Sequence, residues 1–252
     1  MHQLYGGFQM AKIFINTIVG AADNISQLDL VKHLDEMNLE IDGIEVRGEL
    51  FSSLKKDRTA EFNAIRSIAK KHNWDVYISY PNDLFDITGI HEEARRAIQE
   101  SEEHGILSVK MNTGNLLGIE KMNRTQYNEL FQGEPLELRI ENGQAIENGT
   151  IQSVQNAFNA LVKQALPIGF TFDMGNWVIM DENPKKAFND FKENITVFHL
   201  KNVNPAGETT LVDEGVVEWR ELVHLDIPYI IEYAIPLEDI QSEIDKVKQA
   251  MG

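Results

Sequence analysis

The sequence predicts an α/β fold, a single (β/α)8 TIM barrel, from three observations. The chain has 252 residues, a common length for one such barrel. Short apolar runs alternate with amphipathic segments along the chain, and eight such pairs can be counted. This alternation is typical of a parallel sheet with helical crossovers. We therefore expect one barrel domain at residues 12–252, preceded by a short polar N-terminal leader at residues 1–11.

The expected strands are short runs dominated by Val, Ile, Leu, Phe and Tyr. They cover residues 12–19, 42–47, 74–79, 106–112, 136–141, 169–173, 196–201 and 229–233. The expected helices repeat apolar residues every three or four positions. They cover residues 26–39, 57–72, 92–104, 125–131, 151–166, 184–191, 217–225 and 237–251. Ser26, Asp57 and Thr88 lie where helix N-caps are expected.

Composition narrows the range of functions. The formal net charge is −17 with no evident cluster of Lys and Arg, which argues against a nucleic-acid partner. The chain has no cysteine, which excludes disulfides, thiolate-bound zinc and thiol catalysis. No apolar run approaches the roughly 20 residues needed to cross a bilayer, and no signal-peptide core is present. We therefore expect a cytoplasmic protein without a membrane partner.

Polar residues at the C-terminal ends of the expected strands give the strongest functional signal. Strands buried on both faces should be apolar throughout, and these are not. A spacing of two places the polar residues of each strand on one side, facing the barrel axis, at the end where active sites of this fold lie. The residues are Glu45 and Arg47, Lys110 and Asn112, Arg139 and Glu141, Thr171 and Asp173, His199 and Lys201, and Glu232.

Each of these residues also has an ordinary structural interpretation. Glu45 or Glu141 alone is as readily the partner of a neighbouring arginine, and His199 alone is more often a hydrogen-bonded core histidine. Asp173 alone could form a turn. However, buried carboxylates that converge repel one another unless cations offset them, and a divalent ion does so better than Lys or Arg. Acidic and imidazole groups at equivalent ends of strands five to eight therefore favour a shared metal site.

Six short motifs resemble the xylose isomerase-like TIM barrel superfamily, which includes sugar phosphate isomerases and epimerases and the family-two apurinic endonucleases. The resemblance spans roughly residues 12–250, and the order and spacing of the motifs are more specific than any one of them. The motifs are DGIEVR at 42–47, IEN at 140–142, FTFDMGN at 170–176, FHLKN at 198–202, DEGVVEW at 213–219 and IEY at 231–233.

The resemblance implies one divalent metal ion bound by Glu141, Asp173, His199 and Glu232. Three carboxylates and one imidazole suit Mn²⁺ or Mg²⁺, with Zn²⁺ or Co²⁺ as alternatives. The endonucleases resemble this chain less well, because Asn176 stands where they have a histidine, and residues 202–207 lack their second histidine motif.

The leading hypothesis is a metal-dependent isomerase or epimerase that acts on a ketose, a sugar phosphate or a related polyol ketone through an enediolate. Glu141 and Glu232 are the expected acid/base pair. Trp177 is expected to form an apolar wall of the site. The expected contacts to substrate hydroxyls are Glu45, Arg47, Lys110, Asn176 and Lys201.

Two other functions remain open at this point. A dehydratase of the 3-dehydroshikimate type shares the metal and the base, and a non-catalytic sugar- or metal-binding barrel shares the fold. Arg47 and Lys110 could equally serve as ion-pair partners of Glu45 and its neighbours. The expected partner is a small sugar-like molecule, and homo-oligomers are common among similar proteins.

Overall fold

The computed structural model describes residues 11–133 and 136–252. Eight parallel strands close into a barrel, confirming the predicted single (β/α)8 fold. The strands, in chain order, are β1 Ile13–Asn16, β2 Gly43–Arg47, β3 Asp75–Asp86, β5 Ser108–Gly114, β6 Glu137–Glu141, β7 Gly169–Asp173, β8 Ile195–Leu200 and β11 Tyr229–Ile231. Short pairings add β4 Gly89–Ile90, β9 Asn202–Val203 and β10 Thr209–Thr210.

Helices surround the barrel and cover the outward faces of its strands. They are α1 Gln27–Met37, α2 Lys55–His72, α3 Glu92–Glu103, α4 Leu116–Lys121, α5 Arg124–Asn128, α6 Ile146–Gly149, α7 Ile151–Lys163, α8 Met174–Ile179, α9 Pro184–Phe191 and α10 Ile240–Met251. Short 3-10 turns lie at Thr17–Asp23, Gly48–Leu50, Trp219–Glu221 and Leu237–Asp239. No helix of the described residues is long and apolar enough to span a bilayer.

The core has two parts, inside and outside the strand ring. Outward residues pack against the helices; Phe172, for example, lies against Phe188 and Trp177. Inside the ring, a small apolar cluster fills the N-terminal side of the barrel and comprises Phe14, Tyr77, Val197 and Ile230. Because this cluster fills the N-terminal side, the polar side chains further along the strands lie toward the C-terminal mouth, where several of them line a pocket.

The helix predicted at residues 217–225 is wrong, since only Trp219–Glu221 forms a short 3-10 turn. Asn202 provides the physical reason. Its Nδ2 donates to the carbonyls of Val212 and Val217, and its Oδ1 accepts from the amide of Val217. These side-chain bonds occupy backbone groups that a helix starting at Val217 would have to reorient.

Two of the three predicted N-caps are also wrong. Ser26 caps α1 by accepting from the amide of Asp29, as predicted. Asp57 lies inside α2, which begins at Lys55 and has no side-chain cap. Thr88 lies in the turn between β3 and β4 and donates to Asp86, whereas α3 is capped by His91. Of the predicted leader, residues 1–10 lie outside the described part of the chain.

Candidate metal centre

Four predicted ligands come together at the mouth of the barrel. Glu141 and Asp173 are the last residues of β6 and β7, His199 is next to last in β8, and Glu232 follows β11 directly. These strands are neighbours in the sheet order β11–β8–β7–β6. All four residues are buried, and one ligand atom from each lies within 4.8 Å of the others.

The donor atoms of three of these residues fit a divalent cation. Nδ1 of His199 lies 2.8 Å from Oε2 of Glu232 and 3.0 Å from Oε1 of Glu141. Within the described residues, none of these three buried atoms has a hydrogen bond of acceptable geometry. Buried polar atoms are normally satisfied. Two donors that each lie about 2.1 Å from one cation, at right angles to each other, are about 3.0 Å apart, which is close to the spacing observed here.

The carboxylates of Glu141 and Glu232 each also contact a cationic side chain through their other oxygen. Nζ of Lys110 donates to Oε2 of Glu141 at 2.7 Å, and Nη1 of Arg47 donates to Oε1 of Glu232 at 3.0 Å. These contacts orient the carboxylates and leave Oε1 of Glu141 and Oε2 of Glu232 toward the shared centre. Charge repulsion alone therefore does not require a metal here, and the unsatisfied donor atoms are the stronger sign of one.

The contacts of Asp173 bear on both of its sequence-based interpretations, as a turn former and as a candidate metal ligand. Its Oδ1 accepts from the amides of Gly175 and Asn176 at 2.9 Å and so caps α8. Its Oδ2 accepts from Nζ of Lys201 at 2.9 Å. Burial raises the pKa of Asp173, and the carboxylates of Glu232 and Glu141 add to it, so that it reaches about 6 despite Lys201.

The pKa values of the other ligands shift in opposite directions. Burial raises the pKa of Glu141, but Lys110 and His199 outweigh burial and bring the pKa to about 2. The pKa of Glu232 lies well below its ordinary value because His199 and Lys201 overcome burial. Burial lowers the pKa of His199, but Glu232 and Glu45 hold it well above its usual range. Without a metal, the raised pKa of His199 favours its protonated form, with Nδ1 facing the carboxylates of Glu141 and Glu232.

Glu45 lies one layer below the mouth, fully buried. Its Oε1 lies 3.0 Å from Nε2 of His199 and accepts from Nδ2 of Asn16. Its Oε2 accepts from Nη2 of Arg139 at 3.2 Å. Arg139 also donates to Thr171 and lies over the ring of Tyr77. Glu45 therefore contacts the opposite nitrogen of the imidazole from the one that faces the candidate ligands.

Two of the four candidate ligands, Glu141 and Glu232, line an open pocket of about 270 Å³. Four of the five predicted substrate contacts line it, namely Arg47, Lys110, Asn176 and Lys201, and Glu45 does not. Sequence reasoning missed Gln144, which lines the pocket and donates from Nε2 to Oδ1 of Asn176. Only its position three residues after Glu141 could have indicated it.

Trp177 does not form a wall of this pocket, contrary to the sequence-based expectation. It is fully buried and packs between Phe172 and Phe191. The reason is that α8 starts directly after Asp173, so that its fourth residue points back into the layer between strands and helices.

Comparison with solved structures identifies the fold type. A xylose isomerase domain containing protein from Salmonella typhimurium LT2 is 14% identical, with a TM-score of 0.69 over 96% of this chain and 97% of that chain. The chain shares the TIM barrel fold of this xylose isomerase domain containing protein. No family model matches the sequence, and no curated protein matches it.

Two further solved structures are similar over almost their whole length. D-psicose 3-epimerase from Clostridium cellulolyticum H10, solved with D-tagatose, is 10% identical with a TM-score of 0.69 over 95% of this chain and 99% of that chain. A probable 3-DHS dehydratase involved in petrobactin synthesis, from Bacillus anthracis, is 16% identical with a TM-score of 0.64 over 95% and 97%. At these identities the likeness establishes the fold.

Two asparagines of the xylose isomerase-like motifs are structural clamps in this barrel. Asn142 donates to the carbonyl of Asp173 and accepts from its amide, both at 2.8 Å, and its own carbonyl accepts from Asn176. Asn202 holds the segment 212–217 after β8. Both residues are fully buried, so they fix the loops that carry Asp173 and Lys201.

Proposed function

We propose that this protein is a divalent-metal-dependent isomerase or epimerase of a ketose or a related polyol ketone. The observation that carries the proposal is the convergence of three unsatisfied buried donor atoms at the base of an open polar pocket. Glu141, Asp173, His199 and Glu232 hold the ion in this proposal. The donor set suits Mn²⁺ or Mg²⁺, with Zn²⁺ or Co²⁺ as alternatives.

The metal, when bound, supplies Lewis-acid polarisation of a carbonyl and offsets the charge that develops as the neighbouring carbon loses its proton. Glu141 and Glu232 lie on strands separated by β7 and β8 and flank the pocket. Their low pKa values keep both ionised near neutral pH and able to accept a proton. One carboxylate would remove the proton; in epimerisation the other, which is also ionised at rest, would first take up a proton from solvent water and then return it from the opposite face.

The cationic and amide side chains of the pocket bind and orient the substrate in this proposal. Arg47 and Lys110 hold Glu232 and Glu141 in place and border the open volume. Asn176 and Lys201, which contact each other at 2.8 Å, present donors to substrate hydroxyls from the other wall. We assign Glu45 to holding His199, since its carboxylate lies beneath the imidazole.

The decisive experiment is proton exchange in D₂O. We expect the Mn²⁺-loaded protein to exchange the proton next to the carbonyl of at least one ketose in a panel, followed by ¹H NMR. Glu232→Gln should lower the rate by about 10²-fold or more, because the uncharged amide cannot accept the proton. Glu238→Gln, the same change at an exposed position six residues later, should leave the rate unchanged.

A dehydratase acting on a cyclic hydroxy-ketone would use the same metal and base, and the probable 3-DHS dehydratase shares the fold. An absorbance change with 3-dehydroshikimate, without exchange of any ketose, would replace the isomerase proposal with this one. Full exchange by Glu232→Gln would show that the assigned base is wrong. The cytoplasmic location, the absence of nucleic-acid and membrane partners, and a possible homo-oligomer stay predictions.

A further inference from the structure

A second cavity of about 640 Å³ adjoins the metal-site pocket at the mouth of the barrel. Asn112 lines both cavities, and Gln144 in the first is followed along the chain by Ala145 in the second. The first pocket, at about 270 Å³, lies at the small end of the roughly 300–1,000 Å³ typical of ligand sites. One ligand can therefore extend from the metal centre into the second cavity.

Elements that rise above the barrel build the second cavity. β3 and β5 continue to Asp86 and Gly114, and they pair again at Asp83 and Asn112 after a register shift. The opposite wall comes from α6 and the first turns of α7. We call the cavity the amide cleft, because its polar lining consists mainly of asparagines. The asparagines and carboxylates that line the amide cleft are Asp83, Asn112, Asn115, Glu147, Asn148 and Asn156.

The chemistry of the lining indicates the class of ligand. Among the described residues that line the amide cleft there is no Lys or Arg, and Asp83 and Glu147 are carboxylates. A phosphate or carboxylate ligand would be repelled there. Amides that donate and carboxylates that accept are instead the partners that sugar hydroxyl groups use.

Three of the asparagines are already engaged through their oxygens. Oδ1 of Asn115 accepts from the amide of Leu117, and Oδ1 of Asn148 accepts from the amide of Ala145. Oδ1 of Asn156 accepts from Nε2 of Gln152. In the described part of the chain, the Nδ2 groups of these three asparagines donate to no other group, so they are available as donors.

We propose that the amide cleft is a second sugar subsite, so that the substrate is an uncharged glycoside whose keto-sugar unit lies at the metal centre. This proposal rests on the proposed function and adds the substrate class. A linked, unphosphorylated sugar residue fills the amide cleft, with its hydroxyls bound by the asparagine donors and the two carboxylates.

The test compares ligands that differ only in the second unit. D-Fructose, isomaltulose, lactulose and D-fructose 6-phosphate are titrated into the Mn²⁺-loaded protein by calorimetry, and their deuterium exchange is followed by NMR. Isomaltulose and lactulose are neutral disaccharides that end in a fructose unit. We expect at least one of them to bind about tenfold more tightly than fructose, and fructose 6-phosphate to bind more weakly than that disaccharide.

Two variants on α7 make the test specific. Asn156 and Asn159 are both exposed, and each accepts from a glutamine four residues earlier, but only Asn156 lines the cleft. Asn156→Phe should raise the disaccharide Kd about tenfold and leave the fructose Kd within about twofold. Asn159→Phe should change neither Kd, because its side chain lies outside the cleft.

The outcomes separate the two proposals. If fructose exchanges but the disaccharides bind no better and Asn156→Phe affects no ligand, the subsite is wrong and the proposed function stands. Tightest binding of fructose 6-phosphate also overturns the subsite. If none of the four sugars binds or exchanges, and no other ketose of the panel does, both proposals fail together.

Discussion

Glu45 shows how one buried residue acts on the candidate metal centre without contacting the ion. A histidine that ligates a metal through one nitrogen usually donates from the other to a carboxylate or carbonyl, which fixes the ring and raises its basicity. Here Oε1 of Glu45 lies 3.0 Å from Nε2 of His199, while Nδ1 faces Glu141 and Glu232. Glu45 therefore contacts one nitrogen of the imidazole and leaves Nδ1 as the nitrogen that a metal at this centre would use.

We expect Glu45→Gln to weaken Mn²⁺ binding about 10–100-fold, because the neutral amide holds the imidazole less firmly and lowers its basicity. Calorimetric titration measures this change directly. The variant also removes the charged partner of Arg139, and breaking such a buried pair costs about 3–5 kcal/mol of stability. Unfolding of the metal-free protein should therefore occur at lower urea concentration.

Thr171→Val separates the two effects of the Glu45 variant. It removes another acceptor of Arg139, the hydroxyl that lies 3.0 Å from Nη1, and it does not contact His199. We expect this control to lose stability but to keep Mn²⁺ affinity within about twofold of the parent. Equal losses of metal affinity in both variants would mean that Glu45 acts only through the stability of the core.

The sequence pattern did not predict how far along the barrel axis each inward-facing residue lies. Period-two spacing correctly placed Glu45 and Arg47 on the inward side of β2, but two residues along a strand span about 6.6 Å. Arg47 consequently reaches the mouth pocket and Glu45 lies a layer below it, beside Arg139. The spacing along the sequence indicates which way a side chain faces, whereas its depth inside the barrel is visible only in the folded structure.

At the scale of elements, regular alternation was enough to predict the eight barrel strands and most helices. The bounds of β7 and α9 match the predicted ones, because Asp173 and Pro184 are strong local boundary signals. The prediction for segment 217–225 was wrong, since Asn202 binds the backbone of Val217 and the apolar side chains of the segment pack into the core without forming a helix. The extension of β3 to Asp86 was missed because it continues past Pro81 into a hairpin.

The loop after β8 is tied to the last helix by a buried carboxylate. Glu243 on α10 is almost fully buried; its Oε2 accepts from the hydroxyl of Tyr233 at 2.7 Å and from the amide of Val212. Asn202 holds the same segment from the other side. The DEGVVEW stretch is therefore anchored between the barrel and α10, and Tyr233 directly follows the candidate ligand Glu232.

Tyr233→Phe should lower the free energy of unfolding by about 1.5–3 kcal/mol, because it leaves a buried carboxylate without its hydroxyl donor. Urea titration followed by tryptophan fluorescence measures the loss. Tyr127→Phe is the matched control, since its hydroxyl donates to the neutral carbonyl of Pro167 at 3.3 Å. We expect about 0.5–1.5 kcal/mol there. A Tyr233 loss no larger than the Tyr127 loss contradicts the anchoring role.

At the scale of the whole molecule, a proton and a metal ion compete for the imidazole of His199. In the metal-free protein the pKa of His199 is raised above its unfolded value, since Glu232 and Glu45 outweigh burial. The imidazolium thus adds stability that is fully present below pH 6.5 and is lost as the pH rises through the folded-state pKa. A metal ion binds only the neutral imidazole, so it must displace this proton.

Metal affinity should therefore rise with pH. In the range above pH 6.5 that still lies below the raised folded-state pKa of His199, we expect the apparent Mn²⁺ affinity to increase about tenfold per pH unit, with about one proton released per ion. Asp173, with a pKa of about 6, adds to proton release mainly below this window.

Calorimetry in buffers of different ionisation enthalpy counts the protons. His224→Gln, at an exposed position, should keep the same slope. An affinity that does not change with pH would mean that His199 is neutral before the ion arrives, and the imidazolium between Glu141 and Glu232 would have to be abandoned.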